Sequence, residues 1–250
     1  MGWPADVPAA AHLFVGSADG LTDTVDVAGE DGHHLARVLR LRVGETVTVA
    51  DGSGQWRPYR IGAVGAVVRL DATAAPEREP VLSPGLAVAF ALTKGDKPEL
   101  VVQKLTELGV DRIVPVMAER SVARLDGSRA GVALERWRRI AKEAARQCRR
   151  ANLPAVEPLA PLPTLAGHPG LVVAERGGTA ATALGDPPGG EILVVVGPEG
   201  GLAEAEIAAL GSWAQLDLGP HVLRAETAAL AAATLLSARR RSASGGPSRG

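Results

Sequence analysis

Five apolar runs, each followed by a polar or amphipathic stretch, govern what the later two-thirds of this chain can become. LAVAFAL leads into KPELVVQKLTELG, RIVPV into RWRRIAKEAARQCRR, LVVA into a looser stretch, EILVVV into AEAEIAALG, and AQLDL into RAETAALAAATLLSARR. Runs this uniformly apolar suit strands buried on both faces, and the segments between them supply crossover helices to cover those faces. The pattern predicts an α/β fold, a mostly parallel sheet with helices on both faces. With 250 residues and 46% hydrophobic content, the chain can bury a proper core.

Upstream the texture differs. TVTVADGSGQWRPYRIGAVGAVVRL (46–70) alternates over short stretches broken by Asp-Gly and Gly turns, which predicts a small antiparallel barrel or sheet, and HHLARVLRLRVGE (33–45) reads as a short helix entering it. ATAAPEREPVLSPG (72–85) is rich in Pro and charge and reads as a linker. The expected organisation is a small domain over 1–72, a linker over 73–85, a sheet domain over 86–240, and a disordered Gly/Ser-rich tail over 241–250.

Net charge is −1, from 27 basic and 28 acidic residues, so the chain as a whole is not a basic nucleic-acid binder. Its charge is uneven, however. Between Arg136 and Arg150 stand seven basic residues against one acid, Glu143. At 100° per residue Trp137, Ile140, Ala141, Ala144 and Cys148 share one face and the basic residues fill most of the other. Such a helix is either a solvated charged face or a footprint for a phosphate backbone. No run approaches the roughly 18 apolar residues of a membrane span, and MGWPADVPAAAHLFV lacks the order of a secretory signal, so a cytoplasmic protein is expected. Cys148, the single cysteine, is read as a core residue. The histidines show no ligand spacing, and no metal is expected.

Two glycine turns follow apolar runs. VVVGPEGGLAEAEI (194–207) and LGPHVLRAETAAL (218–230) each break a strand and then open a helix. In a parallel sheet ligands bind beyond the carboxyl ends of the strands, and Gly197, Gly200 and Gly201 let backbone amides approach a flat polar ligand. A plain strand-to-helix turn would look the same. No Lys-Ser/Thr follows GPEGG and no G-x-G-x-x-G follows a strand, so a nucleoside triphosphate is disfavoured. In the second turn Glu226 suits a helix N-terminus, whereas Arg224 is out of place there for purely structural purposes. Two such turns, one carrying an Arg/Glu/Thr cluster, point to a built site.

KGDKPELVVQKLTELGVDRIVPVMAERS, VVGPEGGLAEAEI and LDLGPHVLRAETAAL resemble the 16S ribosomal RNA uridine-N3 methyltransferases of the SPOUT superfamily, and HHLARVLRLRVGETVTVADGSG is similar to that family's PUA-like RNA-binding domain. The likeness runs from about His12 to Leu236. It implies a trefoil-knotted C-terminal domain, a homodimer, and S-adenosylmethionine held bent in the knot by Glu175, Gly197, Gly201, Leu218, Gly219, Leu223 and Arg224. It implies 16S RNA of the small ribosomal subunit as substrate, contacted by Arg37, Arg40, Lys94, Lys97, Arg146, Arg149 and Arg150. RQCRRAN departs from the relatives' Glu-Gln-Cys-Gly-Arg-Asn: Arg146 replaces an acid, Arg149 a glycine and Ala151 an asparagine.

Uridine N3 carries a proton that must leave before methylation. Arg224 is assigned to stabilise the uracil anion through a carbonyl oxygen, and Glu226, with Glu199 as an alternative, to accept the proton. A helix N-terminus would weaken Glu226 as a base. Trp56 and Tyr59 are candidates to stack on a base turned out of its helix. The other readings are a knotted methyltransferase acting on transfer RNA or a ribose 2′-hydroxyl, and an RNA-binding assembly factor without activity.

Overall fold

The computed structural model describes residues 2–16, 20–123 and 125–243. The tail expected to be disordered lies outside the described residues beyond Ala243, and residues 241–243 are helical. The chain forms two compact units, one of residues Met1–Val81 and Lys142–Leu153, the other of Leu82–Ala141 and Pro154–Gly250.

The first unit is a mixed six-stranded sheet. β1 (Ala11–Phe14), β2 (Thr24–Val27), β3 (Thr46–Ala50), β4 (Gln55–Val64) and β5 (Val68–Ala72) lie in the order β1-β3-β4-β5-β2, with β6 (Glu77–Arg78) on β4. Alternation in β3 to β5 sends Val47, Val49, Tyr59, Ile61, Val68 and Leu70 into one core with Leu35. Two expectations change. β3, β4 and β5 pair antiparallel as expected over 46–70, but β1 runs parallel to β3 and stays unpaired with β2 among the described residues, so the sheet is an open half-barrel. The segment read as a linker holds β6 and Glu79, a buried carboxylate that accepts hydrogen bonds from the backbone N–H groups of Ala151 and Asn152. The short helix begins earlier than expected, as α1 (Gly29–His33) followed by a π-helical turn over His34–Val38.

The second unit bears out the strand–helix alternation. β7 (Gly85–Ala91), β8 (Arg112–Met117), β9 (Ala155–Val156), β10 (Ala160–Pro161), β11 (Leu171–Thr179), β12 (Glu191–Val196) and β13 (Ala214–Leu216) pair in parallel in the order β10-β8-β7-β12-β11-β13, with β9 on β8. The apolar runs are needed because both faces are covered. Leu86, Val88, Phe90, Ile192, Val194 and Val196 face one core, and Ala87, Ala89, Ala91, Leu193 and Val195 face the other.

Helix α2 (Lys97–Glu107) starts on a proline in its first turn, carries Glu99 early and Lys104 late as the helix dipole favours, and buries Val101, Val102 and Leu105. α3 spans Gly127–Cys148, beginning well before the basic stretch that announced it. α4 (Glu204–Leu210) ends on Gly211 in the left-handed conformation. The small residues Ala229, Ala232 and Ala233 of α5 (Ala225–Ala243) let that helix lie close over β7, β12 and α2.

Candidate active site

The strand order sets the location of the site. From β7 the chain passes through α2 to β8 on one side, while from β12 it passes through α4 to β13 on the other. β7 and β12 are neighbours, paired from Gly85–Glu191 to Phe90–Val196, so their carboxyl ends border a topological switch point, where open α/β sheets bind ligands. The turn Leu92–Asp96 follows β7 and the turn Gly197–Gly201 follows β12. Glu175–Gly178 breaks the register of β11 against β13, and Leu218–Arg224 joins β13 to α5.

Glycine is required at particular points. Gly201 has φ +69° and its N–H closes a turn by donating to the Pro198 carbonyl at 2.8 Å. Gly219 has φ +118°, and a Cβ there would meet nothing within 4 Å, which leaves its backbone open to a ligand.

Charged side chains knit these turns together. The Lys97 ammonium, at the start of α2, lies 3.2 Å from Glu199 Oε1 and 3.4 Å from Glu226 Oε2. Its pKa is raised, first by the hydrogen bond to Glu199 and then by Glu226. The Glu199 carboxyl is held below its usual range by a backbone hydrogen bond at its own residue, by Lys97, and by the charge of Arg224. Glu226 is mostly buried, and its Oε2 makes an ion pair without a hydrogen bond. Arg224 is exposed at the residue before α5. Arg176 reaches the Pro220 carbonyl at 3.5 Å, joining the Glu175–Gly178 and Leu218–Arg224 turns. Arg120 donates to the Gly200 carbonyl at 2.9 Å.

Arg120 was not singled out by sequence reasoning, nor was the double ion pair of Lys97. Lys97 was expected to contact RNA; its ammonium holds one carboxylate from the Gly197–Gly201 turn and one from the first turn of α5. Glu175, Leu218 and Leu223 are half-buried on their turns, and Gly197 is so close to Leu202 that a Cβ would stand 3.0 Å from its Cγ.

The expected RNA contacts divide by what surrounds them. Arg37 and Arg40 are exposed in the first unit, Arg40 at φ +54°, beside exposed Val38 and Leu39. Lys94 is exposed in the second unit. Arg146 and Arg149 are different. Arg146 pairs with Asp31 at 3.0 Å and with Glu143, and Arg149 donates to the carbonyls of Val7 and Ala9. Both guanidiniums are therefore bonded within the first unit, which gives each a structural role. The Arg150 carbonyl accepts a hydrogen bond from buried His12. Trp56 and Tyr59 are also core residues, 2% and 0% exposed, with Trp56 Nε1 donating to Gly2 and Tyr59 donating to Thr22, so neither stacks on a base.

Charged side chains and glycine turns thus border the switch point of a parallel sheet that follows a half-barrel in the chain. The RNA methyltransferase domain family matches residues 82–237, and the RNA methyltransferase PUA domain family matches 27–68. The chain is 36% identical over 241 residues to ribosomal RNA small subunit methyltransferase E of Mycobacterium tuberculosis, covering 89% of each chain, and 33% identical over 232 residues to that of Bacillus subtilis, covering 86% and 90%. Among solved structures it matches ribosomal RNA small subunit methyltransferase E from Neisseria gonorrhoeae bound to S-adenosylmethionine, with TM-score 0.76, 30% identity, and 90% and 95% of the two chains covered. It also matches a methyltransferase of Legionella pneumophila in complex with the same cofactor, with TM-score 0.77, 28% identity, and 93% and 98% covered. This chain belongs to the ribosomal RNA small subunit methyltransferase E family.

Proposed function

We propose that this protein methylates N3 of a uridine in 16S ribosomal RNA of the small subunit, using S-adenosylmethionine, as a homodimer in the cytoplasm. The observation that carries this reading is the meeting of Lys97, Glu199, Arg224 and Glu226 at the switch point, bordered by the turns that the resemblance assigns to the cofactor.

The residues present suit that cofactor. The turns expose backbone at Gly201 and Gly219, Leu218 and Leu223 offer apolar surface to a purine, and Glu175 offers a carboxylate to hydroxyl or ammonium groups. When bound, the sulfonium supplies an activated methyl group. The chain's part is to align the acceptor and ease loss of the N3 proton. Arg224 stays protonated and, being exposed, can donate to a uracil carbonyl as negative charge develops there. Glu199, held below its usual pKa, is a poor proton acceptor near neutrality. Glu226 is the better choice, with one oxygen free of hydrogen bonds at the start of α5, next but one to Arg224.

Exposed Leu100 on α2 and Leu235 on α5, two helices that pack together, support a face for a second copy. A trefoil knot is supported by the path of the chain, which leaves β13 at the sheet edge and returns in α5 over β7 and β12. RNA contact falls to Arg37 and Arg40 in the first unit and Lys94 in the second.

The test is methyl transfer from labelled S-adenosylmethionine to small-subunit particles and to naked 16S RNA, followed by nucleoside analysis. The reading expects 3-methyluridine. A labelled ribose or another base would retain a methyltransferase and overturn the acceptor. Absence of both cofactor binding and transfer would favour an assembly factor.

A further inference from the structure

Beside the cofactor turns, and sharing the Leu92–Asp96 turn with them, lies a second cleft of about 560 Å³, inside the range typical of ligand sites (about 300–1,000 Å³). One wall is that turn and the start of α2, and the other is the beginning of α3. We infer that this cleft binds a nucleotide of the RNA substrate that neighbours the target, its phosphate between Lys94 and Arg129 and its sugar or base against Thr93, Val132 and Trp137.

Three observations support this. The first is charge. Lys94 and Arg129 face the cleft from opposite walls, are exposed, and have no ion pair among the described residues, whereas the cleft's Glu99 is neutralised by Arg136 at 2.8 Å. The cleft is thus left net positive, and the N-terminus of the eleven-residue α2 adds its partial positive charge.

The second is Thr93, which lines the cleft, is 4% exposed, and has a buried hydroxyl with no hydrogen-bond partner. A buried orphan hydroxyl is costly to a fold that only needs the shape of valine, so its partner is sought in a ligand. The third is apolar lining: Val132 is strongly exposed although it lines the cleft, and Leu125, Ala133 and the edge of Trp137 continue that surface. Cations at the rim, one buried polar group and an apolar wall are what a single-stranded nucleotide requires.

The location suits a neighbour of the reacting base. Lys97, three residues after Lys94, contacts Glu199 and Glu226 in the catalytic crevice. The inference rests on the RNA methyltransferase reading for the identity of the strand, and the test separates the two. Small-subunit RNA transcribed with sparse 4-thiouridine is irradiated with the full-length protein and S-adenosylmethionine, and the cross-linked peptides are sequenced. Cross-links are expected within Thr93–Asp96 and Ser128–Trp137.

Thr93→Val and Arg129→Glu should each reduce these cross-links and raise KM for RNA about fivefold, with the Kd for S-adenosylmethionine unmoved. A purely structural Thr93 would show the reverse, with Thr93→Val as stable as wild type or more so and KM unchanged. Methyl transfer with cross-links only elsewhere, and variants that keep the wild-type KM, would overturn the cleft and leave the enzyme reading intact. Cross-links here without any methyl transfer would keep the cleft and overturn the enzyme reading.

Discussion

The two ends of the parallel sheet handle charge in opposite ways. At its amino end two groups of charges are paired within the fold. Arg112 at the start of β8 bonds to Glu191 at the start of β12, and His168 Nε2 stands 2.9 Å from the same carboxylate. Asp111 Oδ2 accepts both Arg240, at 2.6 Å, and the Leu86 N–H, at 2.9 Å. At the carboxyl end one ammonium serves two carboxylates, Arg224 and Lys94 are exposed, and Thr93 and Glu226 each keep an oxygen without a hydrogen bond. Charge pairing at the first end stabilises the sheet, though His168 Nδ1 there also lacks a hydrogen bond, and the exposed cations at the second end leave charge for a ligand. The same side-chain types thus have different roles according to which end of a strand carries them.

The first unit follows the rule of the amino end and supplies the largest expected effect. His12 is buried, accepts a hydrogen bond from Thr48 at Nδ1 and donates from Nε2 to the Arg150 carbonyl, so it is neutral in the fold. Burial, with the charges of Arg149 and Arg146 behind it, pushes its pKa down to about 4. The unfolded chain takes up that proton below about pH 6.5 and the folded chain does not, so stability falls as pH drops through this window. The loss should reach about 3 kcal/mol near pH 4. Urea unfolding across pH 4–7 measures it, and His12→Gln should flatten the slope; an unchanged slope would mean that His12 is not neutral in the fold.

Breaking a pair at the amino end of the sheet comes next. Burial would raise the Glu191 carboxyl, but the hydrogen bond and charge of Arg112, with His168 behind them, outweigh it and hold the group below its usual range. Arg112→Ala should lower stability by about 1–2 kcal/mol, since the pair is partly solvated, and leave single-turnover methyl transfer within about twofold of wild type. A larger loss of transfer than of stability would contradict the division between the ends.

At the carboxyl end the expectation reverses. Lys97→Met leaves Glu199 and Glu226 without their shared cation, and S-adenosylmethionine binding measured by calorimetry should weaken about tenfold while the unfolding midpoint barely moves. The smallest effect is sought away from the sheet. Arg37→Ala should weaken RNA binding about threefold at low salt and lower the salt slope by about one, as removal of one phosphate contact does. Arg149→Ala, by contrast, should act on stability, because that guanidinium is bonded to the Val7 and Ala9 carbonyls.

Much of the second unit is legible in the sequence. Apolar runs such as LAVAFAL and EILVVV admit few alternatives to buried parallel strands, and a Gly-Pro-Glu-Gly-Gly after such a run marks a turn open to a ligand. What was hidden depends on distance along the chain. Lys97 and Glu199 are 102 residues apart, and nothing local to either reports that strand order makes β7 and β12 neighbours.

The partners of charged groups are also hidden in the sequence. Arg146 and Arg149 stand in a basic run that looks solvated, yet the final turns of α3 belong to the first unit, and Arg149 has φ +57°, a conformation that favours glycine. Tyr59 was ambiguous for the same reason. An aromatic residue on an alternating strand faces either the core or a ligand, and register decides which.

The central claim is that the carboxyl end of the sheet performs the chemistry through Arg224. Single-turnover transfer of labelled methyl to small-subunit particles, with saturating S-adenosylmethionine and nucleoside analysis of the product, compares wild type with Arg224→Ala. A drop of about 100-fold or more in the rate of 3-methyluridine formation, with the unfolding midpoint unchanged, is the predicted result. An Arg224→Ala enzyme that forms 3-methyluridine at the wild-type rate would contradict the account.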